Sequence, residues 1–249
     1  MLAQEIAGHY YMIDLGIVFY NRPEFVDIVL HRLFASIEAN EMPVRLFVAD
    51  NSDSDETRSK LIQHNRRFER LLLSGSNVGL ARSLNELMAM MDADYFALMD
   101  CDVLVPPVIW DKMADVLAKL DTVGAVCPIW RDPIEDCTKK MFARDVSRHS
   151  QHGFRISPAS NVAVVTMLRK EFALQVGNFS EFGSGAGWGC ETDISRRILA
   201  TGKEIVFLHD VETIHLPNTI GDNPAYKAVK EQSKKSAREN LDRAWPVKK

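Results

Sequence analysis

Two acidic side chains stand where a divalent cation could be held. Asp100 and Asp102 flank Cys101, directly after the apolar run of residues 95–99. Carboxylates one residue apart can reach the same side of a turn, and Mg²⁺ or Mn²⁺ prefer such hard oxygen ligands while bridging to substrate phosphates. The pair therefore predicts a metal that holds a diphosphate, and an ordinary acidic turn is the alternative.

A second acidic pair, Glu191 and Asp193, begins a predicted helix directly after the glycine-rich stretch 183–189. A carboxylate at this place could take the proton of an attacking hydroxyl as a general base. The alternative is simple complementarity between the acids and the helix dipole. Trp188, just before the pair, offers a flat apolar face that suits a sugar ring, or else packs in the core.

His215 follows a predicted strand, and its imidazole could complete a metal site with Asp102. His209, six residues earlier, is the competing candidate. His149 and His152 lie in a charged stretch with few apolar runs and could face an acceptor. For a lone histidine, a purely structural role is the alternative.

The elements that must position these residues alternate between strand and helix. Apolar runs predict strands at 15–20, 45–49, 71–73, 95–99, 123–128, 161–168, 205–208 and 211–214, and helical spacing marks 24–39, 55–65, 80–91, 107–120, 169–176 and 191–201. This alternation predicts an α/β fold: one Rossmann-like domain with a mostly parallel central sheet flanked by helices. Ligands bind beyond the carboxyl ends of the strands in such sheets, so the chemistry is expected there.

Polar loops follow the first three predicted strands, with Asn21, Asp50 and Asn77 in them. Asp50 could bond a nucleobase or ribose, and Arg82 lies in the first turn of a helix whose N-terminus would attract phosphate. Turn formation is the alternative for the loops of Asp50 and Asn77. The chain has no G-x-G-x-x-G and no G-x-x-x-x-G-K-[ST], so neither a dinucleotide-binding fold nor a P-loop NTPase is supported.

The amino-acid composition further limits the class of protein to which the chain can belong. The 249 residues are 46% hydrophobic and 26% charged with a net charge of −4, which fits a folded protein and argues against a wholly basic nucleic-acid binder. Residues 225–249 nevertheless carry eight Lys or Arg against three acids. The four cysteines form no C-x-x-C pair. No signal peptide or membrane-spanning run is evident, so a cytoplasmic protein is expected.

Taken together, these segments resemble the family 2 glycosyltransferases of the GT-A fold. The resemblance spans roughly residues 13–217. The matching segments are VFYNR at 18–22, VADNS at 48–52, NVGLA at 77–81, FALMDCD (a D-x-D strand) at 96–102, ETDISRR at 191–197, and His215. It implies an inverting hexosyltransferase-like enzyme that uses Mn²⁺ or Mg²⁺ and a nucleotide-sugar donor, with a UDP-sugar as the favoured donor.

The resemblance also implies roles for single residues. Asp102 and His215 would bind the metal, Asp50 the nucleoside, and Asp100 the ribose or donor sugar. The rest of the implied donor site is Tyr20, Asn21, Arg22, Asn77, Arg82 and Trp188. The family often has Glu-Asp where this chain has Cys190-Glu191. Glu191 then takes the position of the base and Asp193 supports it, although the reverse assignment stays open.

The expected organisation is a transferase domain at 1–221, with its nucleotide-sugar half at 13–130 and its acceptor and catalytic half at 131–221. Residues 222–249 would form a basic helical tail, interpreted as a solvated helix. The expected acceptor is a saccharide or lipid-linked glycan, and a nucleic acid or a protein is less favoured. The tail could also touch an anionic surface.

Two other functions remain open. A sugar nucleotidyltransferase should have a glycine-rich loop after the first strand, where this chain has Asn21-Arg22-Pro23-Glu24. A non-catalytic module that binds nucleotide-sugar would keep the fold without needing Asp102, Glu191 and His215.

Overall fold

The predicted alternation is present in a computed structural model that describes residues 11–131, 153–181, 189–216 and 235–245. The strands in these ranges are β1 (Ile13–Phe19), β2 (Val44–Asp50), β3 (Arg70–Leu73), β4 (Tyr95–Asp100), β5 (Val103–Leu104), β6 (Val123–Arg131), β7 (Ile156–Ala159), β8 (Val165–Arg169) and β9 (Glu204–His215). The helices are α1 (Pro23–Glu38), α2 (Asp55–Gln63), α3 (Leu80–Met88), α4 (Ile109–Lys119), α5 (Lys170–Val176), α6 (Cys190–Ala200) and α7 (235–244).

One sheet joins these strands in the order β3-β2-β1-β4-β8-β6-β9-β5, and β7 pairs with β9 beside this path. The first four strands run parallel, and so do β6 and β9. Strands β5, β7 and β8 pair antiparallel with their neighbours. The prediction of a single α/β domain with a mostly parallel sheet flanked by helices is confirmed. Of the antiparallel strands, β7 and β8 lie in its second half and β5 lies in its first.

The core lies on both faces of the sheet. All seven residues of β1 are buried, as expected for a parallel strand covered by helices on both faces. Leu15 and Ile17 share one cluster with Trp110 of α4, while Val18 belongs to the cluster on the opposite face. Gly16 allows close approach there, because an added Cβ would lie 2.7 Å from Met91 Cε. Apolar side chains therefore pack against both faces of the sheet.

Some elements differ from the predicted ones. The two predicted strands near residues 205 and 214 form one continuous strand, β9, and the strand expected from residue 161 begins at Val165. The short strands β5 and β7 carry too few residues for a period to show, so the sequence pattern missed them. Much of the charged stretch expected to be irregular lies outside the described residues.

The interpretation of the C-terminal tail as a solvated helix is wrong for α7. Ala237 is 2% exposed and Leu241 is 7% exposed, because both pack onto the rest of the protein. Their spacing of four residues places them on one face of the helix. Lys235, Arg238 and Arg243 are exposed on the same helix. Two apolar positions among many charges gave too weak a pattern to reveal the packed face.

Asp14 holds the amino end of the sheet together. Its buried carboxylate accepts two bonds from Arg45 of β2 at 2.7 and 2.8 Å and further bonds from the backbone amides of Asp92 and Ala93. Asp14→Ala should lower the free energy of unfolding by about 3 kcal/mol, because it leaves buried donors and a cation without their acceptor. Urea denaturation measures this loss.

The matched control is Asp92→Ala. Asp92 also pairs with Arg45, but its side chain is 74% exposed and water can replace it. This variant should unfold at nearly the wild-type urea concentration. Equal losses in the two variants would contradict the assignment of Asp14 as the buried acceptor.

Candidate active site

The predicted site residues meet at the carboxyl edge of the sheet because of strand register. Asp50 pairs with Phe19 at the end of β1, and Asp100 pairs with Val18 on the other side of the same strand. On the far side of the sheet, β5 pairs with β9 so that Val103 faces His215. The backbone N–H of Leu216 donates to the carbonyl of Asp102 at 2.7 Å, which fixes this arrangement.

Asp102 and His215 form a close pair at this edge. Asp102 Oδ1 lies 3.3 Å from His215 Nε2, and the side chains are 14% and 26% exposed. The other carboxylate oxygen lies 3.8 Å from Arg22 Nη2. Arg22 is itself buried and stacks over the Phe25 ring at 4.9 Å. The pair is therefore partly accessible, with one oxygen and one nitrogen donor side by side.

Asp100 lies behind this pair in an electronegative environment. Burial raises the pKa of the Asp100 carboxyl well above its ordinary value; the charges of Asp102 and Glu191 raise it further, and His215 opposes them. Because both carboxylates act on Asp100 electrostatically, β4 and the start of α6 contribute acids to one site. Burial also raises the pKa of the Cys101 thiol, which therefore stays neutral between the two aspartates.

Glu191 lies in the first turn of α6. Burial raises the pKa of its carboxyl, while hydrogen bonds to its own backbone and to the Cys190 side chain lower it. Burial also raises the pKa of the Cys190 thiol, which therefore stays neutral. A carboxylate whose pKa is raised by burial has the chemistry of a general base or acid.

Asp193, two residues further along α6, is engaged within the protein. It is 3% exposed, and its Oδ2 accepts bonds from Ser180 Oγ at 2.6 Å and Arg197 Nε at 3.0 Å. Its Oδ1 accepts a bond from Trp245 Nε1 at 2.8 Å. Sequence reasoning missed these three partners, although the spacing of four residues between Asp193 and Arg197 is a recognisable helix pair.

The loops after β1, β2 and β3 are tied to one another. Asn21, whose φ is +47°, accepts bonds from the amides of Asp53 and Ser54 at 3.1 Å. Asn51 donates to Asn77 Oδ1 at 2.9 Å and accepts from the amide of Val78 at 2.7 Å. The strained backbone at Asn21 is thus stabilised by its side-chain contacts. These bonds form one continuous rim beside Asp100.

Asp50 lies beneath this rim and is fully buried. Its Oδ1 accepts a bond from the amide of Ser52 at 3.0 Å, and its Oδ2 lies 3.2 Å from Arg58 Nε. Arg58 also donates to the Ser52 carbonyl at 3.3 Å. Asp50 therefore braces the loop in this structure. Sequence reasoning missed Arg58, which follows the acidic cluster by one helical turn.

The remaining predicted residues are more scattered. Tyr20 is half-buried directly after β1. Arg82 is exposed and pairs with Glu86 at 3.0 Å on α3. His209 is engaged with Ser157 Oγ at 2.7 Å, away from the Asp102 and His215 pair. Trp188, His149 and His152 lie outside the described residues.

The donor set fits a metal that is completed by its substrate. Within the part of the chain that the structure describes, no three His, Cys, Asp or Glu side chains converge to hold a metal unaided. Asp102 and His215 would supply two ligands, and Mn²⁺ and Mg²⁺ commonly take one or two protein ligands and complete their shell with waters and phosphate oxygens. A bound cation would also reduce the electrostatic repulsion among the carboxylates of Asp100, Asp102 and Glu191.

Sequence comparison identifies the family. Residues 14–171 match the model of glycosyl transferase family 2. This match covers more than half of the chain, and the chain therefore belongs to family 2 of the glycosyltransferases. The match ends before α6, so Glu191 and His215 lie beyond it. None of the curated proteins matches the chain in sequence.

Solved structures share the fold. The mannosyltransferase PcManGT from Pyrobaculum calidifontis, in complex with GDP-Man and Mn²⁺, is similar with a TM-score of 0.65 at 16% identity, over 93% of this chain and 64% of that one. GalNAc-T7 with UDP, GalNAc and Mn²⁺ is similar with a TM-score of 0.64 at 13% identity, over 94% of this chain and 51% of that one. The chain thus spans less than two thirds of either structure. At these identities, the likeness shows a shared GT-A fold.

Among the described residues, no helix combines the length and the apolar character that a membrane span requires.

Proposed function

We propose that this family 2 glycosyltransferase moves a sugar, with inversion, from a nucleoside-diphosphate sugar to an acceptor hydroxyl. A UDP-sugar is the favoured donor, and a glycan or lipid-linked glycan is the favoured acceptor. The observation that carries the proposal is the meeting of the Asp102 and His215 pair with Asp100 and Glu191 at the carboxyl edge of the sheet. A metal-binding pair beside a base is what displacement of a diphosphate requires.

The donor would lie along the rim formed by the first three loops. Asp102 and His215 are the residues that would hold Mn²⁺ or Mg²⁺, which would neutralise the charge developing on the leaving diphosphate. Arg22, 3.8 Å from Asp102, adds positive charge on the same side. Asp100 would bond a hydroxyl of the ribose or donor sugar. Asp50 would act on the nucleoside through the loop that it braces.

The remaining implied donor contacts are proposed for Tyr20, Asn21, Asn77, Arg82 and Trp188. Of these, Asn21 and Asn77 would act on the donor by holding the rim together through their hydrogen bonds. The two solved structures named above contain GDP-Man or UDP together with Mn²⁺, which supports a nucleoside-diphosphate donor and a divalent metal.

Glu191 would accept the proton of the acceptor hydroxyl, whose oxygen then attacks the anomeric carbon from the face opposite the diphosphate. The bond from the anomeric carbon to the diphosphate oxygen breaks as the new glycosidic bond forms. Glu191 is the preferred base over Asp193 because both carboxylate oxygens of Asp193 already accept bonds within the protein. Family membership and the Asn21-Arg22-Pro23-Glu24 loop favour transfer over nucleotidyl chemistry.

The exposed Lys and Arg side chains of α7 are compatible with an anionic acceptor. Lys235, Arg238 and Arg243 could recruit a nucleic acid or an anionic membrane surface, although a glycan acceptor does not require them.

A panel of nucleotide sugars tests the proposal. Each donor is incubated with Mn²⁺, and release of nucleoside diphosphate is measured with and without a mixture of saccharide acceptors. Metal-dependent release from at least one donor is expected. Donor binding without any release would favour a non-catalytic binding module instead.

The rate should depend on pH in the direction set by Glu191. A base works only when deprotonated, and burial raises the pKa of Glu191. The turnover number at saturating donor should therefore fall as pH falls, with a midpoint above the ordinary glutamate value of about 4.3. Initial rates between pH 4.5 and 8 measure this limb, and circular dichroism over the same range checks that the fold is retained. A turnover number that stays flat to pH 4.5 would contradict the assignment.

A further inference from the structure

The C-terminal helix α7 packs against the start of the helix that carries Glu191. Gly189, which precedes α6, has a φ of +95°, and a Cβ added to it would lie 2.9 Å from Ala237 Cβ and 3.4 Å from Leu241 Cδ1. Ala237 and Leu241 are the buried residues of α7. The backbone at the N-terminus of α6 and one face of α7 are therefore in direct contact.

A partly buried hydrogen bond strengthens this contact. The Trp245 Nε1–H, just after α7, donates to Asp193 Oδ1 at 2.8 Å. The backbone N–H of Trp245 donates to the carbonyl of Leu241 at 2.8 Å, which closes the last turn of the helix. Asp193 is 3% exposed, so without the indole its Oδ1 would lose a partner where little water is present to replace it.

Asp193 connects α7 to two further segments. Its Oδ2 accepts bonds from Ser180 and Arg197, and Arg197 in turn donates to the carbonyls of Val176 and Asn178. The carboxylate therefore joins α7 to α6 and to the segment after α5. A carboxylate held from several sides is rigid, and it fixes the helical turn to which it belongs.

That turn also carries Glu191. The backbone N–H of Asp193 donates to the carbonyl of Gly189 at 2.9 Å, and Ser195 Oγ donates to the carbonyl of Glu191. No side chain caps the N-terminus of α6 at Gly189. With a glycine cap and a glycine-rich sequence before it, the first turn depends on tertiary contacts for its position.

We infer that Trp245 is a positioning residue that holds Glu191 in place through its hydrogen bond to Asp193. The inference rests on the proposed role of Glu191 as the base. A base must lie within hydrogen-bond reach of the acceptor hydroxyl, and a displacement of about 1 Å can cost 10²-fold in rate. The C-terminal segment is then part of the catalytic unit rather than an accessory tail.

The test is Trp245→Phe in the full-length chain, which removes the indole N–H and keeps an aromatic ring. The turnover number should fall about tenfold or more, while KM for the donor stays within about twofold, because the described hydrogen bonds of Trp245 go to Asp193 and Leu241 and not to the loops after β1, β2 and β3. The control is Glu239→Gln, an exposed residue on the same helix, which should retain wild-type turnover.

Hydrogen exchange in the ligand-free protein provides a readout that does not depend on activity. In Trp245→Phe, the backbone amides of residues 190–195 should exchange faster, and those of β1 and β4 should be unchanged. A loss of turnover accompanied by general protection loss and a lower melting temperature would mean a merely structural role and would overturn the inference. So would unchanged turnover in the variant.

Failure of the proposed function and failure of the positioning role of Trp245 give different results. If the wild-type protein turns over no nucleotide sugar, the proposed function fails, and the exchange experiment still decides whether Trp245 orders the start of α6. If the wild-type protein is active and Trp245→Phe matches it in both turnover and exchange, the positioning role alone fails.

Discussion

Glu191→Gln is expected to reduce sugar transfer by about 10²–10⁴-fold, the range over which general bases contribute. The amide has the shape of the carboxylate but cannot accept the hydroxyl proton. Donor affinity should change little, since Glu191 acts on the acceptor side of the reaction. Steady-state rates of nucleoside diphosphate release with acceptor, together with calorimetric donor binding, separate these two effects.

The matched control is Glu212→Gln on β9, three residues before His215. Glu212 is half exposed and pairs with Arg131 at 3.3 Å, outside the acidic site. It should keep wild-type transfer. If Glu191→Gln also retained full turnover, Glu191 would not be the base. Asp193 would then have to be reconsidered despite its internal hydrogen bonds.

Asp102→Asn is expected to raise the Mn²⁺ concentration needed for half-maximal activity by at least about tenfold, because even residues that only orient metal ligands contribute 10–100-fold in affinity. The neutral amide is a weaker ligand for a hard cation. His215→Gln should act in the same direction, since the two side chains lie 3.3 Å apart. Activity against Mn²⁺ concentration measures both effects.

His31→Gln provides the control for the histidine, because His31 is exposed on α1. It should need no more Mn²⁺ than the wild type. If Asp102→Asn and His215→Gln both kept the wild-type Mn²⁺ requirement, the metal would have to bind elsewhere. A loss of activity that excess Mn²⁺ cannot restore in either variant would point to misfolding, which circular dichroism detects.

The first half of the fold could be predicted because each strand carries its own signal. The apolar run of β1 and the polar residues after it mark a buried parallel strand with a loop at its carboxyl end. Once the strands are parallel, Asp50 and Asp100 must lie at the same edge of the sheet, and the register confirms that they do. The local sequence pattern and the geometry of a parallel sheet were therefore sufficient to predict the first half of the fold.

The second half depends on contacts between residues far apart in sequence. His215 reaches Asp102 because β5, which has two residues, pairs with the end of β9. A two-residue strand has no period to detect, and antiparallel pairing between distant segments leaves no local trace. The residues alone allowed either His215 or His209 to pair with Asp102, the family resemblance favoured His215, and the structure supplied the geometry.

The role of α7 was obscured by composition. A segment dominated by charged residues predicts a solvated helix. Two apolar residues four positions apart are too few to change that prediction. The hydrogen bond from Trp245 to Asp193 joins residues 52 positions apart. Neither residue alone predicts its partner. A buried aspartate needs hydrogen-bond donors, but its presence in the sequence does not determine which segment supplies them.

The central claim is direct displacement at the anomeric carbon by a hydroxyl that Glu191 activates. Proton NMR of the sugar linkage formed from an α-linked donor, recorded at early times before mutarotation, tests this claim most directly. Inversion predicts a β-linked product, or β-configured free sugar when water is the acceptor. An α-configured product would show retention and would contradict single displacement from the face of Glu191.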